Sequence, residues 1–121
     1  MRILKFGGSS LANPERISLV RKIIIEYAKA YPDLTVVVSA QSGVTDQLVK
    51  LCELIPDFLS DSEAVIREIE IRHLATIKEL LHVTEQPSAT AEIMAMCNEL
   101  SDIFKGASLV GEVTPRTSDM I

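Results

Sequence analysis

Six consecutive residues near the start, Lys5-Phe6-Gly7-Gly8-Ser9-Ser10, combine a cation, two glycines and two hydroxyls. Glycines let a backbone come close to a phosphate, and their N–H groups donate to its oxygens. A lysine just ahead of them supplies a fixed positive charge, and the two serines add hydroxyl donors. The spacing is neither GxxxxGK(S/T) nor GxGxxG. Taken alone, a Gly-Gly pair after a strand is more often a plain tight turn. Lys5 is the sharper sign, because a lysine in an otherwise apolar strand needs a partner unless that end of the strand faces solvent. A second set follows at Ser39-Ala40-Gln41-Ser42-Gly43-Val44-Thr45. Ser39, Ser42 and Thr45 are small donors, and Thr45 opens a helix whose N-terminal dipole favours anions. A substrate carboxylate suits that position; the plainer alternative makes Thr45 an N-cap and Ser39 a turn residue.

The elements that position these residues are legible from local pattern. Ile3-Leu4-Lys5-Phe6 is short, apolar and ended by glycines, which reads as a buried first strand. Asn13 offers an N-cap and Pro14 suits the first helical position, so a helix is expected over 14–30. Its apolar positions are Ile17, Val20, Ile24 and Tyr27, with Ile23 beside them. Thr35-Val36-Val37-Val38 is β-branched throughout and reads as a second buried strand. A strand, a helix and another strand form a βαβ unit, so the two strands should be parallel and the two donor loops should lie at the same sheet end.

After the second strand the chain is helix-rich. A helix from about Thr45 to Leu59 carries Leu48, Leu51, Cys52 and Ile55 on one face. Ser60-x-x-Glu63 has the form of a capping box and starts a third helix that runs to about His82. Ser88 is a candidate cap for a fourth, with Ile93, Met96, Cys97, Leu100, Ile103 and Phe104 as its stripe and Gly106 as its stop. Met94 and Met96 read as packing residues, and His73 and His82 as structural histidines, since no second ligand is spaced for zinc. Thr114-Pro115 signals another helix start, followed by only six residues. Two parallel strands do not make a complete domain, so residues 1–121 read as part of a longer one.

Composition narrows the function classes. Twelve Lys and Arg stand against 17 Asp and Glu, a formal charge of −5, which gives no electrostatic drive toward nucleic acid or an anionic membrane. Hydrophobic residues make up 47% and aromatics 4%, so the core is aliphatic. No apolar run approaches the ~18 residues of a membrane span. Cys52 and Cys97 sit in no CxxC or Cys/His cluster and read as reduced thiols, which suits the cytoplasm.

KFGGSSLANPERI followed by VVVSAQSGVTDQL resembles the start of the aspartate kinases, within the amino-acid kinase superfamily. Ile71-Arg72-His73 and the closing GEVTPRTSDMI extend the resemblance along essentially the whole chain, while Ser9 stands where many members have threonine. The resemblance implies the N-terminal portion of a three-layer α/β/α fold with parallel strands. It implies ATP, with Mg2+, as phosphoryl donor and the side-chain carboxylate of L-aspartate as acceptor. On that basis Lys5 neutralises charge on the transferring group, and Phe6, Gly7, Gly8 and Ser9 join it around the phosphates. Ser39 and Thr45 match positions that contact aspartate, and no metal-ligating residue falls within the chain. The resemblance further implies a homo-oligomeric parent with later nucleotide and regulatory segments. A piece lacking them is expected to have little or no activity and to self-associate through exposed apolar faces. Two other readings remain open: another amino-acid kinase, acting on glutamate, acetylglutamate or uridylate, or a non-catalytic anion-binding module.

Overall fold

The computed structural model describes residues 1–54, 59–110 and 121. The chain divides into two compact units, Met1–Thr45 and Asp46–Ile121.

The first unit holds strand β1 (Ile3–Phe6), a short 3₁₀ turn (Gly8–Leu11), helix α1 (Pro14–Ala30) and strand β2 (Thr35–Val38). The strands are parallel, with Ile3 opposite Thr35 and Phe6 opposite Val38. Each strand and α1 has the bounds its sequence signals dictate. Asn13 caps α1: its Oδ1 accepts from the Arg16 backbone N–H at 2.9 Å, and Pro14 follows. A cap of this kind is worth about 1 kcal/mol. Tyr31 ends the helix in an extended conformation, and its N–H donates to the Tyr27 carbonyl at 2.8 Å. The Arg2 guanidinium lies 4.6 Å from the Tyr31 ring centre, and Tyr31 stacks on Tyr27.

The strands are less covered than the sequence suggested. Residues along β1 alternate between exposed and half-buried, and β2 is exposed at three of its four positions. Val38 retains 59% of its accessible surface, and Ile3 the same. Apolar, β-branched composition encodes a preference for strand, whereas burial depends on what lies over each face. On α1, Val20 is buried, while Ile23 and Tyr27 are exposed together with Leu19 and Ile25.

The second unit contains most of helix α2 (Val44–Leu54), then α3 (Leu59–Leu80) and α4 (Gln86–Val110). α3 and α4 pack along one another. Ile66 and Ile69 on α3 are buried, as are Cys97, Phe104 and Ala107 on α4, at the three- and seven-residue spacings of a helix face. Phe104 and Leu51 are wholly buried at 0% exposure. Three sequence expectations are corrected. α4 starts at Gln86, so Ser88 lies inside its first turn instead of capping it. The helix also continues through Gly106 to Val110. A helical glycine costs about 1 kcal/mol relative to alanine, and burial of Phe104 and Ala107 on either side outweighs that. Met94 and Met96 are exposed and do not belong to the packed stripe. The Ser60 side chain of the capping box, Ile55, and the Thr114-Pro115 helix start lie outside what is described.

His73 has the structural role expected of it: its Nδ1 lies 2.7 Å from the Ile69 carbonyl, one turn earlier. Both cysteines are free thiols, Cys97 buried and Cys52 half-buried. Burial pushes the Cys97 thiol above its ordinary pKa, and the Glu70 carboxylate adds to the shift. The unfolded chain therefore loses this proton first as pH rises. The resulting stability is fully present below the ordinary thiol pKa and is lost as pH climbs toward the raised, folded value. Urea midpoints are expected to fall over that alkaline window, and Cys97→Ala should flatten that part of the profile. An unchanged profile in the variant would remove Cys97 as the cause.

Candidate functional site

The site residues of the first unit come from two loops at the C-terminal ends of β1 and β2, where parallel sheets present ligands. Lys5 lies on β1 opposite Val37, and its side chain is exposed. Lys5 therefore needs no buried partner, contrary to the expectation for a lysine in a buried strand. Side chains alternate along a strand, and Lys5 shares the open side with Ile3. Its charge is available to a ligand at that strand end without a desolvation cost to the folded chain.

Beyond Phe6 the backbone is extended at Gly7 (φ −85°, ψ 179°) and then tightens into the 3₁₀ turn. The Ser10 N–H donates to the Gly7 carbonyl at 3.1 Å, and buried Leu11 anchors the turn. This turn packs against α1. The Arg16 guanidinium reaches back from α1 to donate to the Ser9 carbonyl at 3.4 Å. That contact was not foreseen in the sequence; only the seven-residue separation across a helix start hints at it.

The two glycines have different surroundings. A Cβ on Gly7 would meet nothing within 4 Å, which leaves open space beside the Lys5 strand end. A Cβ on Gly8 would lie 3.4 Å from Ser42 Cα, 3.5 Å from the Ala40 carbonyl oxygen and 3.6 Å from the Ser42 nitrogen. A Cβ there would sit in ordinary van der Waals contact with the second loop, so the two loops lie side by side, as expected.

In the second loop Ser39 is exposed and its hydroxyl donates to the Ala40 carbonyl at 2.8 Å. The Val44 N–H donates to the Gln41 carbonyl at 3.1 Å, closing a turn over Ser42 and Gly43. Gly43 has φ +86°, the one positive φ among the described residues. α2 begins at Val44, so Thr45 is its second residue and not its cap. Thr45 is exposed in the first turn, where backbone N–H groups lack intrahelical acceptors. Asp46 occupies the same turn and already complements the helix dipole, so an arriving carboxylate depends on hydroxyl and N–H donors more than on the bare dipole.

A cation on a strand end, a glycine-lined opening and a second donor loop packed against the first suit an anionic ligand next to a carboxylate. The model of the amino acid kinase family matches residues 1–119. The chain belongs to the amino acid kinase family. Its parallel strand pair and helices agree with that family's α/β fold. This amino acid kinase chain is 31% identical over 122 residues to aspartokinase 1, chloroplastic, of Arabidopsis thaliana, a match covering 98% of the chain and 20% of the relative. An aspartokinase of Chlamydia pneumoniae is 44% identical over 78 residues, covering 64% of the chain and 16% of the relative. A bifunctional aspartokinase/homoserine dehydrogenase of Haemophilus influenzae is 51% identical over 53 residues, covering 44% and 6%. The chain thus spans a fifth or less of the length of these relatives.

Proposed function

We propose that residues 1–121 form the N-terminal part of an aspartate kinase, carrying one wall of a site for ATP phosphates and L-aspartate. The observation that carries this reading is the adjacency of the two loops, since a Cβ on Gly8 would lie 3.4 to 3.6 Å from backbone atoms of Ala40 and Ser42. The aspartokinase names of the relatives supply the substrate.

In this reading Lys5, Phe6, Gly7, Gly8 and Ser9 hold the nucleotide phosphates, and Lys5 offsets the charge of the transferring group. ATP, with Mg2+, supplies the phosphoryl group. Ser39 and Thr45 orient aspartate through their hydroxyls. A side-chain oxygen of aspartate forms the new bond to the terminal phosphorus, the bond to the bridging oxygen breaks, and ADP leaves. The product is 4-phosphoaspartate, an entry compound for lysine, threonine and methionine synthesis. No general base is required, since a carboxylate is already ionised at neutral pH. Positioning and charge stabilisation then supply most of the rate enhancement.

Cytoplasmic location and a homo-oligomeric full-length protein belong to the same proposal. Among the described residues no helix is long and apolar enough to cross a membrane. The exposed apolar residues of β1, β2 and α1 favour association.

The test is aspartate-dependent ADP release by the full-length protein, with glutamate, acetylglutamate and uridylate as competing acceptors. Preference for aspartate by at least about 100-fold in kcat/KM, the discrimination a polar site readily gives, is expected. Preference for another acceptor, or no turnover with any, overturns the proposal. The isolated 121-residue chain is expected to release no ADP, and turnover by it would show that the wall described here is a whole site.

A further inference from the structure

We propose that Gly43 is a positioning residue whose left-handed backbone angle sets the course of the loop carrying Ser39 and Thr45, and so governs affinity for the carboxylate substrate and not for the nucleotide. The inference rests on the function proposed above.

Three observations fall on adjacent residues. Gly43 itself has φ +86°. On one side, the Ser42 backbone is seated against Gly8, at 3.4 to 3.6 Å from the position a Cβ would take there. On the other, Val44 is buried at 5% exposure and its N–H is committed to the Gln41 carbonyl. The chain is therefore held on both sides of a single residue. That residue must turn it from the β2 end into the first turn of α2, where Thr45 sits.

A Cβ on Gly43 would meet nothing within 4 Å, so space does not exclude a side chain. Only the backbone angle does. L-residues differ widely in tolerance of positive φ: asparagine adopts it most readily, alanine less, and a β-branched residue least. A residue that resists the angle relaxes the turn and displaces the Thr45 hydroxyl. Lys5 and Gly7 lie upstream on β1 and its extension and keep their places.

The experiment measures Gly43→Asn, Gly43→Ala and Gly43→Val in the full-length protein. Readouts are KM for aspartate and for ATP, kcat, aspartate Kd by calorimetry, and folding by circular dichroism. The expected result is an aspartate KM and Kd that rise in the order Asn, Ala, Val, reaching ~5- to 30-fold for valine, with the KM for ATP unchanged. A normal aspartate KM in Gly43→Val overturns the proposal, as does an equal rise for both substrates. Should Gly43→Val fail to fold, the other two variants decide, and an asparagine variant no better than alanine overturns it. An active, aspartate-dependent wild type with a flat Gly43 series removes the positioning role alone. A wild type that ignores aspartate removes the proposed function and this role together.

Discussion

Replacing Lys5 with alanine in the full-length protein is expected to lower kcat by about 10³-fold or more, with the fold intact. The size of the effect follows from what phosphoryl transfer demands. The phosphate oxygens carry charge throughout such a reaction, and under the proposed function Lys5 is the fixed cation that would stabilise it without a mobile counterion having to be organised first. The sparing of the fold follows from exposure. Lys5 points to the open side of a strand whose neighbours Leu4 and Phe6 are half-buried, so its loss leaves no cavity. Stability by urea denaturation should stay within ~0.5 kcal/mol of wild type, as for a surface substitution. Near-normal kcat in Lys5→Ala would refute the catalytic role, and a large loss of stability would mean the kinetic effect is indirect.

The largest effect on stability is expected at the other end of the chain. Phe104→Ala should destabilise the second unit by about 3–5 kcal/mol, the usual cost of emptying a buried aromatic site. Phe104 is wholly buried on α4, a helix that packs along α3, with Ile66, Ile69, Cys97 and Ala107 also buried in that pair of helices. Domains are stable by roughly 5–15 kcal/mol, so this single change should bring the helical pair close to its unfolding threshold. Amide hydrogen exchange along α3 and α4 would report it directly. A change below ~1 kcal/mol would mean that neighbouring side chains collapse into the space. The contrast with exposed Met96 is a control: Met96→Ala, at 61% exposure, should cost little.

Both predictions draw on features that differ in how visible they are in the sequence. Lys5 stands out as a cation two residues ahead of Gly7-Gly8 at a strand end, although a Gly-Gly pair there is more often a plain tight turn. A lysine in a buried strand would need a partner, whereas Lys5 lies on the exposed side of β1 and needs none. Phe104 was legible as a member of a helical stripe, yet so was Met96, and periodicity alone could not say that one is wholly buried and the other open. A stripe marks about a hundred degrees of helix surface, and the partner helix covers only the part it actually meets. Gly106 misled for a similar reason: glycine past an apolar run signals a stop, but burial on both sides carried the helix on.

Local features are the ones legible in the order of residues. The bounds of β1, α1 and β2 follow from glycine, proline and capping chemistry acting over a few residues, and the parallel pairing follows from the strand–helix–strand order. The family resemblance is likewise carried by contiguous motifs, and the match over residues 1–119 agrees with it. Proximity and exposure, in contrast, arise from packing. Residues thirty or more positions apart, Gly8 and Ser42, come close because two strands pair in one register. The positive φ at Gly43 belongs to the same class, because a glycine permits that angle without requiring it. The turn closed by the Val44 N–H on the Gln41 carbonyl, with Val44 buried beside it, settles which of the angles open to glycine is taken.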